Sequence, residues 1–121
     1  AKFMRPVKGA TITSPYGKRS SGFHTGTDFA IAQGTPVYAA ASGTVIFSGR
    51  KGSYGNLVII DHGNGYQTYY AHCYALYVSA GQTVSQGQNI SAVGTTGNST
   101  GPHMHFEIRY NGSTLNPLGY V

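Results

Sequence analysis

The chain has 121 residues, of which only 9% are Asp, Glu, Lys or Arg, against a usual share of roughly 25%. With 18 glycines it is a poor helix former, and 40% hydrophobic residues with 10 tyrosines argue against disorder. The length suits one domain, residues 1–121, and the balance of 8 basic to 3 acidic residues gives +5. That charge favours approach to an anionic polymer, but the basic residues are scattered. No aromatic residues interleave with them as in nucleic-acid readers, so a nucleic-acid partner is not expected.

In chain order, the turn Ser14-Pro15-Tyr16-Gly17 opens a loop, and strands are predicted over Thr25–Ile31, Pro36–Ser48, Asn56–Asp61, Gln67–Ala71, Gln88–Val93 and His103–Tyr110. His62-Gly63-Asn64-Gly65 and Asn111-Gly112-Ser113 read as hairpin punctuation. No segment carries a helical apolar stripe or the roughly 20 apolar residues of a membrane span, so membrane insertion is not expected. The chain opens on no signal-peptide pattern; a secreted protein of this sequence would be a mature or trimmed form. Two glycine-led segments echo each other: Gly34-Thr35-Pro36-Val37 with Gly43-Thr44-Val45-Ile46, and Gly81-Gln82-Thr83-Val84 with Gly87-Gln88-Asn89-Ile90. They resemble the half-motifs of biotinyl and lipoyl carrier domains, but no lysine sits at a hairpin tip to be modified. The carrier function is therefore disfavoured, while a related sandwich architecture stays open.

The single cysteine, Cys73, excludes an internal disulfide. Asp28, Asp61 and Glu107 are the only carboxylates, which disfavours paired-carboxylate glycosidase and two-metal chemistry. Any acid–base chemistry falls to the five histidines. His103 and His105 are two apart, so one strand points both imidazoles to one face, with backbones about 6.6 Å apart. His24 and Asp28 would be about 13 Å apart along a straight strand, but Gly26 between them permits a bend that brings imidazole and carboxylate together. Asp28 runs into the apolar Phe29-Ala30-Ile31, where an ion would offset its desolvation. A mixed nitrogen and oxygen donor set favours Zn²⁺ over Ca²⁺ or Mg²⁺. Four ligands, His24, Asp28, His103 and His105, would make a closed structural site; three would leave a position open for catalysis. The residues alone do not choose between these.

The ordered segments Ile12-Thr13-Ser14-Pro15-Tyr16-Gly17, Phe23-His24-Thr25-Gly26-Thr27-Asp28, Gly34-Thr35-Pro36-Val37-Tyr38-Ala39-Ala40, Tyr54-Gly55-Asn56, Ile60-Asp61-His62-Gly63-Asn64-Gly65-Tyr66, Tyr70-Ala71-His72 and Gly97-Asn98-Ser99-Thr100-Gly101-Pro102-His103-Met104-His105-Phe106-Glu107 cover nearly the whole chain. Together they resemble the lysostaphin-type zinc endopeptidases of peptidoglycan, the β-lytic metallopeptidase family. The resemblance implies an all-β, small antiparallel β-sandwich of the duplicated hybrid-motif type with an open groove. It implies zinc on His24, Asp28 and His105, with His72 and His103 beside it as catalytic histidines. It further implies hydrolysis of peptide cross-links or bridges of bacterial peptidoglycan by an extracytoplasmic enzyme, with a monomer as the expected state. His62 falls at a structural position of the family pattern, Glu107 reads as the residue that fixes a histidine, and Tyr16 is a candidate for lining the cleft. Cys73 and Met104 replace the usual aliphatic residues and are expected to pack. The loop before His24 is short for the family. The competing reading is a non-catalytic wall-binding or protein-interaction domain with structural zinc, which would not need both His72 and His103.

Overall fold

The structure, a computed structural model, describes residues 3–19, 22–97 and 101–121. Ser20, Ser21 and the Asn98-Ser99-Thr100 part of the last motif lie outside them. Among the described residues twelve strands form: β1 (Thr11–Ser14), β2 (Gly17–Arg19), β3 (Gly22–His24), β4 (Thr27–Ala30), β5 (Pro36–Tyr38), β6 (Gly43–Arg50), β7 (Asn56–Gly63), β8 (Tyr66–Leu76), β9 (Thr83–Val84), β10 (Asn89–Val93), β11 (His103–Tyr110) and β12 (Ser113–Leu115). Single 3-10 turns occupy Gly52–Tyr54 and Pro117–Gly119. Among the described residues no helix is long and apolar enough to cross a membrane.

Ten strands join in one sheet in the order β1-β4-β11-β8-β7-β6-β9, with β12 on β11 and with β10 linking β5 to β8; β2 and β3 form a separate hairpin. Every pairing is antiparallel. β8 is the pivot: Tyr66–Ala71 pairs with β11, and Cys73–Leu76 pairs with β10. Phe29, Val37, Val45, Val58, Ile60, Tyr70, Val84, Ile90, Met104, Phe106 and Ile108 all reach one buried cluster. Strands from both ends of the sheet therefore close over a common core, as a sandwich. The all-β expectation holds. Met104 is fully buried in that core, as its packing reading requires.

Alternation decides which face carries chemistry. On β11, Met104, Phe106 and Ile108 enter the core, so His103, His105, Glu107 and Arg109 share the opposite face. That face also holds a smaller buried cluster of Leu57, Ile59 and Ala71, with Phe47, Tyr54 and Tyr69 packed against it.

The two asparagine–glycine signals are hairpin turns. Asn64 and Gly65 have φ of 54° and 87°, and Asn111 and Gly112 have 49° and 85°. Positive φ at both central residues matches the twist of the flanking strands. The glycine echo is also structural. β5 pairs with β10 and β6 with β9, and the turn Ala32–Thr35 closes by the same backbone bond as Ser79–Gln82 and Ser85–Gln88.

Several boundaries differ from the expectations, among them Gln67–Ala71, which extends to Tyr66–Leu76. Pro36–Ser48 is not one strand but β5 and β6, separated at residues 39–42. The Ala39 and Ala40 amides leave the ladder for the Gln88 carbonyl and the Tyr70 hydroxyl, while the Ala40 carbonyl accepts from Met4. Thr25–Ile31 begins only at Thr27, because the chain bends at Gly26. Strands β1, β2, β3, β9 and β12, each of two to four residues, are too short to show a period in sequence.

His62 has the structural role expected of it. It donates Nδ1–H to the Ser42 carbonyl at 2.8 Å, and its Nε2 accepts from Thr68 Oγ1 at 2.7 Å. Thr68 in turn accepts from the Tyr70 hydroxyl at 2.6 Å, and that hydroxyl accepts from the Ala40 amide. With the ring neutral, the relay runs one way. Burial lowers the His62 pKa, opposed by the Ser42 bond and by Asp61. The unfolded chain, with a histidine pKa near about 6.5, then takes up the proton first. The His62 contribution to stability is complete above that pH and falls as pH drops below it. Urea midpoints at about pH 7.5 and about pH 5.5 should show a larger loss in wild type than in His62→Gln, which cannot titrate. Equal losses would show that His62 does not stay neutral in the fold.

Candidate metal centre

β1, β4, β11 and β8 lie side by side, and their registers place Ser14, Asp28, His105 and Ala71 in one row across the sheet. Asp28 and His105, 77 residues apart in sequence, are thus direct cross-strand partners. The bend at Gly26 turns β3 back so that His24 joins them. A side chain at Gly26 would overlap the Phe106 carbonyl oxygen and stand 2.9 Å from both His105 Cε1 and Glu107 Cγ. Glycine is needed there for close approach of the two strands.

The result is a convergence of three acceptor atoms. His24 Nε2 lies 3.3 Å from His105 Nδ1 and 3.4 Å from Asp28 Oδ1, and His105 Nδ1 lies 2.9 Å from Asp28 Oδ1. The opposite nitrogen of each ring has its shortest contact with a group that can only accept, although the Ser14 hydroxyl also stands 3.4 Å from His24 Nδ1. His24 Nδ1 donates to the Pro15 carbonyl at 2.9 Å, and His105 Nε2 donates to Glu107 Oε2 at 2.8 Å. In the neutral rings this leaves His24 Nε2 and His105 Nδ1 with lone pairs turned toward the carboxylate. Three lone pairs at such distances repel unless a cation or a proton lies among them. A tetrahedral zinc with ligands at about 2.0–2.1 Å separates its donors by about 3.3 Å. The donor set and its spacing fit that ion.

Without a cation, a proton takes the place. Burial would lower the pKa of His105, but its hydrogen bonds to Asp28 and Glu107 and their charges outweigh this and raise it to about 9. Burial likewise opposes ionisation of Asp28, and the histidines around it overcome this and lower its pKa.

His103 is close without belonging to the trio. Its Nε2 is 3.8 Å from Asp28 Oδ1 and its Nδ1 donates to the Gly101 carbonyl at 3.0 Å. The set of ligand atoms mutually within 4.8 Å comprises His24, Asp28 and His105. His72 arrives from β8 with its Nδ1 donating to the Thr96 carbonyl at 2.7 Å. The His72 and His103 rings are 4.8 Å apart and the His72 and His105 rings 6.1 Å apart. Burial, followed by the neighbouring His103 and His105, lowers the His72 pKa despite the Thr96 bond. All four sequence-nominated histidines and Asp28 therefore meet on one face of the sheet.

Glu107 is fully buried beneath this face. Its Oε2 accepts from His105 Nε2 at 2.8 Å, Tyr54 OH at 2.8 Å and Thr25 Oγ1 at 2.9 Å, and its Oε1 accepts from Arg109 Nε at 2.8 Å and Nη2 at 2.7 Å. Burial alone would raise its pKa, but His105, Arg109 and Tyr54 together lower it to about 2. Arg109 also stacks over Tyr69, with its guanidinium 4.2 Å from the ring centroid. Sequence reasoning left Arg109 as an isolated charge and missed Tyr54, Thr25 and Thr96. The spacing of Arg109, two residues beyond Glu107 on one strand face, was the available signal.

Tyr16 and Cys73 take no part in the site's chemistry, and Cys73 packs in the core as expected. The Tyr16 hydroxyl donates to the Thr114 carbonyl at 3.0 Å and its ring packs edge-on against Phe23, so it ties the first turn to β12. Cys73 is fully buried in the core, and burial pushes its thiol up to about 11, opposed by a bond to Ser91. A thiol held so strongly protonated is no nucleophile.

Comparison with known proteins agrees with this architecture. Residues 22–117 match the model of peptidase family M23. The chain is 47% identical over 121 aligned residues to the DD-carboxypeptidase/endopeptidase Mpg of Neisseria meningitidis serogroup B, covering 95% of this chain but 28% of that protein. Among solved structures it is similar to a zinc-containing peptidase from Vibrio cholerae, with a TM-score of 0.90, 36% identity and coverage of 96% of this chain and 39% of that one. It is also similar to the catalytic domain of the antimicrobial peptidase lysostaphin from Staphylococcus simulans, with a TM-score of 0.86, 30% identity and coverage of 92% and 91%. The fold is that of a metallopeptidase domain. The chain belongs to peptidase family M23, and it spans less than a third of the length of its Neisseria relative.

Proposed function

We propose that residues 1–121 form a zinc-dependent endopeptidase domain that hydrolyses peptide cross-links or bridges of bacterial peptidoglycan. The observation that carries this reading is the convergence of three acceptor atoms of His24, Asp28 and His105 beside two further imidazoles. These three residues would hold the ion, and His72 and His103 would move protons. A zinc ion bound there supplies a Lewis acid and an acidified water for amide hydrolysis. Membership of a peptidase family and the zinc-containing Vibrio relative support both ion and reaction.

The protein groups divide the remaining work by their hydrogen bonds. The Thr96 carbonyl accepts the Nδ1 proton of His72, which leaves Nε2 as that ring's base. His103 engages Gly101 through Nδ1 and sets Nε2 on the Asp28 side. Hydrolysis makes a C–O bond from water and breaks the C–N bond. One proton must leave the water and one must reach the departing amine. Two imidazoles with ring centres 4.8 Å apart can serve as acceptor and donor for these transfers. Glu107 keeps His105 in the tautomer that ligates through Nδ1. A wall-binding module with structural zinc would have no use for the second pair of imidazoles.

The substrate places the domain outside the cytoplasm, and the net charge of +5 assists its approach to an anionic wall. Purified sacculi incubated with the protein should clear and release soluble fragments, whose masses identify the bond cut. A chelator should stop the release and added zinc restore it. Intact sacculi in the presence of stoichiometrically zinc-loaded protein would refute the reading.

A further inference from the structure

We infer that Thr96 is the positioning residue for His72, gripping both its ring and the backbone that carries it. The inference rests on His72 being a proton-transfer group of the proposed peptidase. On a regular β8, alternation would send His72 to the same side as Tyr70, whose ring is fully buried in the core. β8 avoids this with one extra residue. Val58 faces Tyr70 and Asn56 faces Cys73, so two residues of β7 span three of β8. His72 takes a φ of 62° at this bulge, a conformation that side-chain-bearing residues rarely adopt. Ala71 and His72 then both leave the core, and Cys73 returns to it.

Such a turn needs a hold, and the bonds around it converge on Thr96. The Thr96 hydroxyl donates to the Cys73 carbonyl at 2.7 Å and accepts from the Asn56 amide at 3.0 Å. Asn56 Nδ2 donates to the same Cys73 carbonyl at 3.1 Å. Thr96 thereby fixes the main chain just beyond His72, while its own carbonyl accepts the His72 Nδ1 proton at 2.7 Å. A carbonyl can only accept, so the contact selects the tautomer as well as the ring direction.

The Thr96 peptide is itself wedged. Gly55 and Gly97 lie back to back with φ of 66° and 76°. A side chain on Gly55 would strike the Thr96 carbonyl group, and one on Gly97 would strike the Gly55 amide and come within 2.5 Å of the Ser53 carbonyl oxygen. The 52–56 segment that brings Tyr54 to Glu107 thus also locates Thr96 for His72.

The test uses zinc-loaded protein, cross-linked muropeptides, and the variants Thr96→Val and Thr96→Ser. Thr96→Val should lower kcat about ten- to a hundredfold with KM and zinc content unchanged, and Thr96→Ser, which keeps the hydroxyl, should restore it. Nitrogen NMR of the imidazoles should show the Nδ1–H tautomer of His72 in wild type and its loss of definition in Thr96→Val. A wild-type kcat in Thr96→Val, an equal loss in Thr96→Ser, or an Nε2–H tautomer in the wild-type protein would overturn the inference. The tautomer readout stands even where the valine variant fails to fold. Wild-type protein without turnover would instead defeat the peptidase reading, and the NMR result would still decide what holds His72.

Discussion

Asp28→Ala is expected to leave the protein without bound zinc and without hydrolytic activity. Asp28 provides the only negative charge among the three converging donors, and its Oδ1 is within 3.4 Å of both His24 Nε2 and His105 Nδ1. Alanine leaves two neutral imidazoles, a set with too little charge and too few donors for a tight site. The loss should exceed the roughly 10–100-fold that follows removal of an outer hydrogen-bond partner. Asp28→Asn keeps an oxygen in place but not the charge, and should also bind zinc weakly. Elemental analysis alongside turnover checks both variants. Stoichiometric zinc in Asp28→Ala would remove Asp28 from the ligand set.

Glu107→Ala is expected to damage both the fold and the metal site. The carboxylate has no solvent exposure and receives hydrogen bonds from His105, Tyr54, Thr25 and Arg109. Its removal strands a largely covered guanidinium and three other donors. Breaking one side of a buried ion pair costs about 3–5 kcal/mol, and the lower end applies because Arg109 keeps 24% side-chain exposure. For a domain of this size that corresponds to a Tm lower by about 10–15 °C. The double variant Glu107→Leu, Arg109→Leu should lose less than the sum of the single replacements, since it leaves neither charge uncompensated. Calorimetry of the four proteins measures the coupling. Additive losses would mean that the two charges stabilise the fold independently. Zinc affinity should also fall in Glu107→Ala, because His105 loses the acceptor that selects its tautomer.

Much of the site was legible because its motifs are short and local. His103 and His105 share a strand face by simple alternation, and Gly26 marks the bend that lets His24 reach Asp28. The pairing of Asp28 with His105 depends on the register of β4 against β11, across 77 residues, which no local pattern records. The orientation of His72 was also hidden. Alternation alone would have buried its ring beside Tyr70, and the bulge that redirects it is specified by contacts with Asn56 and Thr96. The fold shows the same division. Asparagine–glycine turns and the glycine echo carry their geometry in the residues themselves. The break between β5 and β6 does not, because the Ala39 and Ala40 amides are drawn away by Gln88 and Tyr70, distant in sequence.

The number of protein ligands separates a working metal centre from a closed structural one, and His103 decides it. It stands beside Asp28, yet outside the trio whose donor atoms all lie within 4.8 Å of one another. Zinc content of purified His103→Ala, compared with wild type and His105→Ala, tests this most directly. The account predicts one zinc per chain in wild type and in His103→Ala, with hydrolysis lost in the latter, and none in His105→Ala. A His103→Ala protein that folds but comes without zinc would contradict it, making His103 a fourth ligand and the centre a closed one.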